Sequence, residues 1–163
     1  MVESLVRRAL LAITGGTLMT RQVGAQAPAG SAYDFTFPAL EGGELKLADF
    51  QGQVLLVVNT ASFCGFTPQF RALEALYDRY RPRGFSVIGV PSNDFNQEAA
   101  EAEKIRAVCD TFDVDFPLAA VSHVKGEAAH PFFRWAGGLS SPPRWNFHKY
   151  LIAADGRFLR DFS

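Results

Sequence analysis

Apolar residues fall along the chain in two rhythms, unbroken runs and helical repeats, and their alternation predicts the elements. Val54 to Val58 is a run rich in β-branched residues, bounded by Gly52 and polar Asn59, and reads as a buried strand. From Phe70, residues Leu73, Leu76, Tyr77 and Tyr80 recur at helical spacing until Pro82 and Gly84 stop the pattern. Thr67 and Pro68 are expected at the N-cap and first position of that helix. Phe85 to Val90 is a second buried run, so strand, helix and strand follow in order, which for parallel strands implies a right-handed crossover. A second helix is expected over residues 99–112, with Ala102, Ile105, Val108, Cys109 and Phe112 on its apolar side. A short third helix runs from Pro131 to Ala136 and ends at Gly137-Gly138. Tyr150 to Ala153 and Arg157 to Phe162 flank Asp155-Gly156, a hairpin signal. Upstream, Leu45, Leu47 and Phe50 among Gly42, Gly43 and Gly52 suggest a short strand or hairpin. The class is α/β.

The N-terminal stretch has a different texture. Arg7 and Arg8 precede an apolar stretch from Ala9 to Met19, and small residues follow, with A-x-A-like sites at Val23-Gly24-Ala25 or Ala25-Gln26-Ala27. That layout predicts a secretory signal peptide over residues 1–27 and export to the bacterial periplasm, an oxidising compartment. The apolar stretch is shorter than the roughly 18 residues a membrane span needs, so no stable span is expected. Residues 28–32, rich in Pro, Gly, Ser and Ala, read as a linker with nothing to pack. Residues 33–163 are expected to form one domain.

Composition narrows the function classes. The formal charge of -1 and the absence of a basic run exclude a polyanion partner such as nucleic acid. Two cysteines are too few for a disulfide scaffold, and three widely spaced histidines form no zinc pattern, so no metal and no bound cofactor are expected. Thiol chemistry passes this screen. Cys64 lies in the segment Asn59 to Phe70, NTASFCGFTPQF, between the first strand and the first helix. That position sets a thiol near the positive end of a helix dipole, which favours the nucleophilic thiolate.

Three segments, Asn59 to Phe70, Val90 to Glu98 (VPSNDFNQE) and Trp145 to Ile152 (WNFHKYLI), resemble the signature blocks of the glutathione peroxidase family, in the same order. The similarity extends from about Tyr33 to Ser163. It implies a thioredoxin-like fold with a central mixed sheet flanked by helices. It also implies a peroxidatic cysteine grouped with a glutamine, a tryptophan and an asparagine, which correspond to Cys64, Gln97, Trp145 and Asn146. The chemistry of these residue types agrees. A thiolate attacks one peroxide oxygen, and uncharged amide and indole donors stabilise the sulfur and the departing oxygen without titrating near neutral pH. Taken singly, Trp145 equally fits a core aromatic, Gln97 a solvated helix start and Asn146 a turn residue. In the second block one residue separates Phe95 from Gln97 where the family has two, so either the loop is shortened or the amide is displaced.

The resemblance also implies the reaction: a thiol-dependent peroxidase that reduces hydrogen peroxide and organic hydroperoxides through a cysteine sulfenic acid, with glutathione or thioredoxin as reductant, in oxidative stress defence. Cys109 is a candidate resolving cysteine, counted back from Phe116-Pro117, or else a small apolar side chain on a buried helix face. His130 reads as a helix start and His148 as a variable position; Lys149 fits a solvated or strand-edge lysine. The short path from Val124 to Trp145 leaves no room for the loop of tetrameric relatives, so a monomer is expected. Relatives continue into a closing C-terminal helix, and this sequence stops at Phe162-Ser163, so that helix is expected to be missing. The alternative is a catalytically weak redox sensor or interaction protein on the same fold. Other thiol families fit less well: Val57 and Ala61 occupy the positions of the peroxiredoxin Pro and Thr, Thr67 breaks a C-x-x-C pair, and Pro68 replaces the second cysteine of a copper carrier.

Overall fold

The computed structural model describes residues 30–163; the expected signal peptide and the first two linker residues lie outside them. Among the described residues six strands and three α-helices follow in the order β1 (Thr36–Pro38), β2 (Glu44–Lys46), β3 (Val54–Thr60), α1 (Gln69–Tyr80), β4 (Phe85–Pro91), α2 (Ala102–Asp110), α3 (Pro131–Leu139), β5 (Lys149–Ile152) and β6 (Phe158–Phe162). The central sheet has the order β4-β3-β5-β6, and β1 and β2 form a separate hairpin. β3 pairs parallel with β4, Val57 opposite Ile88, and antiparallel with β5, Val57 opposite Tyr150. β5 and β6 pair antiparallel across the Asp155-Gly156 turn. The sheet is therefore mixed and thioredoxin-like, as the pattern of runs and hairpin predicts.

β3 and β4 are mostly apolar and buried along nearly their whole length because both faces of each are covered. On one face Leu55, Val57, Ile88, Val90, Tyr150 and Ile152 pack with Phe132, Phe133 and Ala136 of α3 and with Phe37 of the hairpin. On the other, Leu56, Val58 and Val87 pack with Phe70 and Leu73 of α1, Ile105 and Cys109 of α2, and Phe116 and Phe147. Each fully buried aromatic or aliphatic side chain contributes about 1.5–3 kcal/mol, so these two layers dominate the stability. β4 is covered on its free edge as well. Gly89 donates to the Pro117 carbonyl and accepts from Ala119 N–H. A Cβ at Gly89 would come within 2.6 Å of Leu118 Cδ2, so only glycine admits that approach.

Several boundaries differ from the sequence reading. Of the described linker residues, Ala32 is fully buried and donates its N–H to the Gly156 carbonyl, and Ser31 forms a capping box with Asp34. Ser31 and Ala32 are thus part of the packed structure, held by the turn between β5 and β6. α2 is shorter than expected, because residues 99–101 are an irregular approach and Thr111 to Asp113 a turn. Gly137 and Gly138 lie inside α3, where Gly137 sits 3.2 Å (ideal Cβ to Cα) from Pro142 and lets the following segment pack closely. Among the described residues no helix is long and apolar enough to cross a membrane, and no group of His, Cys, Asp and Glu could hold a metal ion.

Candidate active site

Cys64 occupies the turn between the C-terminal end of β3 and α1 and is 8% exposed. Among the described residues its Sγ has one hydrogen-bond partner, the Phe66 backbone N–H at 3.4 Å. Thr67 braces the turn from inside: its Oγ1 accepts the Cys64 N–H at 3.0 Å and donates to the Ala61 carbonyl at 2.9 Å. Thr67 is therefore not the expected N-cap. Pro68, itself in helical conformation, precedes the first residue of α1, and the threonine hydroxyl holds the cysteine turn instead. Phe63 and Phe66 on either side of Cys64 are 62% and 52% exposed and form an aromatic rim.

Gln97 reaches this turn from the end of β4. Phe63 N–H donates to the Gln97 carbonyl at 2.9 Å, and Ser62 N–H donates to Glu98 Oε1 at 3.1 Å. Asn96, immediately before Gln97, has φ +57°, a left-handed conformation that asparagine tolerates better than most residues. This tight turn stands in the shortened second block, and the Gln97 amide that follows it meets Asn146. Asp94 anchors the loop from the far side. Its Oδ2 accepts from Val124 and Lys125 N–H, and its Oδ1 lies 2.7 Å from His123 Nδ1. Burial opposes its charge, yet His123 and the two backbone donors outweigh that and hold the carboxyl below its usual range.

Trp145 and Asn146 arrive on the segment that enters β5. Asn59, fully buried at the end of β3, donates to the Trp145 carbonyl at 3.1 Å, accepts Phe147 N–H at 2.7 Å and donates its own N–H to His148 O. Phe147 has φ +63°, an outlier for an aromatic residue that costs about 1–3 kcal/mol. It is held there by burial against Phe70, ring centroids 5.4 Å apart. Asn146 is buried, and its Nδ2 donates to Gln97 Oε1 at 2.8 Å. Among the described residues its Oδ1 is buried without a hydrogen-bond partner. The asparagine is thus more than a turn residue and the glutamine more than a solvated helix start: two amides from separate segments meet directly. Trp145 is 45% exposed, with its ring 5.3 Å from that of Phe95, so it is not a core aromatic. A cavity of about 420 Å³ is lined by Phe66, Gln69, Trp145, Asn146 and Phe147 among others, which joins the cysteine turn to the Trp-Asn segment.

Cys109 lies on the buried face of α2, fully inaccessible, in the same side-chain cluster as Cys64. Both cysteines are free. Burial pushes the Cys109 thiol up to about 11, against a smaller opposing pull from Arg106, so in this conformation it is a protonated, poor nucleophile. His130 caps α3, accepting Phe132 N–H on Nδ1 and stacking on Phe37 at 3.9 Å. His148 is buried beside Tyr150 with its Nε2 3.4 Å from Asp161 Oδ2, and burial lowers its pKa. Lys149 is half-buried and donates to the Phe147 carbonyl. Asn59 and Glu98 escaped the sequence reading. The signals were a lone amide closing an apolar strand and an acid directly after Gln97.

Comparison with known proteins places this geometry in context. Residues 32–136 match the family model described as glutathione peroxidase, a span that includes Cys64 and Gln97. The hydroperoxy fatty acid reductase gpx1 of Synechocystis is 41% identical over 144 residues, covering 80% of this chain and 85% of the relative. The glutathione peroxidase of Lactococcus lactis is 40% identical over 138 residues, covering 80% and 88%. A glutathione peroxidase-like peroxiredoxin gpx1 of Schizosaccharomyces pombe is 37% identical, covering 80% and 87%. Among solved structures, Trgpx in apo form superposes with a TM-score of 0.68 at 33% identity, covering 83% of this chain and 86% of that one. A thiol:disulfide interchange protein of Chlorobium tepidum superposes at 0.62 with 16% identity, covering 78% and 81%, a likeness of fold alone.

Proposed function

The chain belongs to the glutathione peroxidase family and is a thiol-dependent peroxidase, and from that premise we propose that Cys64 is its peroxidatic residue, with Gln97, Trp145 and Asn146 as catalytic partners. The observation that carries this reading is the direct Asn146 Nδ2 to Gln97 Oε1 bond beside the Cys64 turn, made by residues 49 positions apart. The Cys64 thiolate attacks the terminal oxygen of a hydroperoxide; an S–O bond forms, the O–O bond breaks, and the departing alkoxide or hydroxide takes a proton to leave as alcohol or water. Asn146 engages the oxygen of the Gln97 amide, which leaves the Gln97 N–H donors free for the developing charge, and the Trp145 indole N–H is a further donor.

The sulfenic acid on Cys64 is then reduced by an external thiol, glutathione or thioredoxin. Cys109 is the candidate resolving residue for a thioredoxin route, and because its thiol is fully buried, an internal disulfide requires α2 to open first. Organic hydroperoxides as well as hydrogen peroxide are the proposed substrates, supported by the exposed aromatic rim of Phe63 and Phe66 and by the name of the Synechocystis relative. No bound cofactor takes part in this scheme. A monomer, and export to the periplasm on a signal peptide over residues 1–27, complete the proposal. Arg7, Arg8 and the apolar stretch that follows support the export, as does a family match that begins only at residue 32.

The test is consumption of hydrogen peroxide and an organic hydroperoxide with glutathione or thioredoxin as donor, in the native protein and in Cys64→Ser. Turnover in the native protein with at least one donor, abolished by the substitution, is expected. A Cys64→Ser protein that turns over normally would remove Cys64 from the mechanism.

A further inference from the structure

Glu98 is a buried acid directly after Gln97, and among the described residues its carboxylate has no cation as a hydrogen-bond partner. It is 7% exposed, and burial pushes its carboxyl above the usual range against the pull of donors from Ser62 and Ala99. Its Oε1 accepts both the Ser62 N–H at 3.1 Å and the Ala99 N–H at 2.9 Å, and its own N–H donates to Asn93 Oδ1 at 3.1 Å. Among the described residues Oε2 is buried without a hydrogen-bond partner. A group in so unfavourable a setting needs a local reason.

We propose that Glu98 is a positioning residue for the peroxidase reaction, fastening the backbone just before Cys64 to the turn that carries Gln97. The proposal rests on the reading of Cys64 as the reacting residue. Ser62 and Phe63 each have one amide N–H, and these go to consecutive residues of the other segment, Glu98 and Gln97. Ser62 therefore registers the thiol against the glutamine amide through a side chain, where β3 and β4 have ended and no ladder bond is available for the task. On the far side Thr67 holds Cys64 N–H, so the turn is gripped at both ends. Without the Glu98 acceptor, Ser62 N–H and Ala99 N–H are left buried and unpaired, and the turn shifts to find partners. Both backbone donors go to the one oxygen Oε1, and a glutamine carries the same acceptor.

The rate constant for oxidation of the reduced protein by hydrogen peroxide, measured by stopped flow in a single turnover, tests this together with the amide exchange of Ser62. A misplacement of about 1 Å costs on the order of 100-fold, so Glu98→Ala is expected to oxidise 10- to 100-fold more slowly, with Glu98→Gln recovering to within about threefold of native. In the native protein the Ser62 amide is expected to exchange slowly, and at least about tenfold faster in Glu98→Ala. A folded Glu98→Ala that oxidises at the native rate overturns the proposal, as does a Glu98→Gln as slow as Glu98→Ala. Should Glu98→Ala fail to fold, a native Ser62 amide that exchanges like a free loop overturns it, and a protected one with a near-native Glu98→Gln rate upholds it. If the native protein itself does not react with peroxide, the peroxidatic reading of Cys64 falls, and Ser62 exchange in the three proteins still decides whether Glu98 holds the turn.

Discussion

The Asn146 to Gln97 contact makes two residues from different segments act as one device, and that has a measurable signature. Replacing either amide by alanine is expected to slow Cys64 oxidation about 100-fold, the scale seen when one preorganised donor is removed from a reacting centre. Because the two are bonded, the double variant is expected to be little slower than either single one, a coupling of about 2–3 kcal/mol in a double-mutant cycle. Full additivity in stopped-flow rates would mean the two amides act separately. Sequence alone identifies these residue types and even the shortened second block, but not the bond between them. Neither does it reveal the left-handed turns at Asn96 and Phe147, since φ at a non-glycine residue is imposed by its neighbours.

At the scale of elements, the runs Val54 to Val58 and Phe85 to Val90 are legible because strands covered on both faces have few alternatives to an apolar run. Helix ends are less so. Thr67 and Pro68 carry every local mark of an N-cap, yet a tertiary demand, bracing the Cys64 turn, takes the hydroxyl away. Gly137 and Gly138 look like a stop, yet both lie inside α3, and Gly137 packs closely against Pro142. Gly89 on β4 is the opposite case, a strand glycine whose purpose is close approach. Gly89→Ala is expected to destabilise the fold by about 1–3 kcal/mol through overpacking against Leu118, read from the midpoint of urea unfolding. An unchanged midpoint would show that the segment around Leu118 yields freely.

For the molecule as a whole, two cysteines share one buried cluster, Cys64 8% exposed and Cys109 fully sealed, and the buried Cys109 thiol makes stability depend on pH. The Cys109 thiol is held up to about 11 in the folded protein, above its value in the unfolded chain. Below the unfolded value both states are protonated and the contribution to stability is complete. As pH rises through about 9 to 11 the unfolded chain loses its proton first, so unfolding is favoured and stability falls by about 2–3 kcal/mol. Urea unfolding at pH 8 and pH 10.5 is expected to show this loss in the native protein and a smaller one in Cys109→Ala; equal losses would refute the assignment. The fold therefore keeps one thiol near the surface, between Phe63 and Phe66, and the other sealed on the buried face of α2. The most direct measurement of the central claim is mass spectrometry of the reduced protein after one equivalent of hydrogen peroxide, with dimedone present to trap sulfenic acid. The account predicts a dimedone adduct on Cys64, or a Cys64–Cys109 disulfide where resolution outruns trapping; an unmodified Cys64, or an adduct on Cys109 alone, would contradict it.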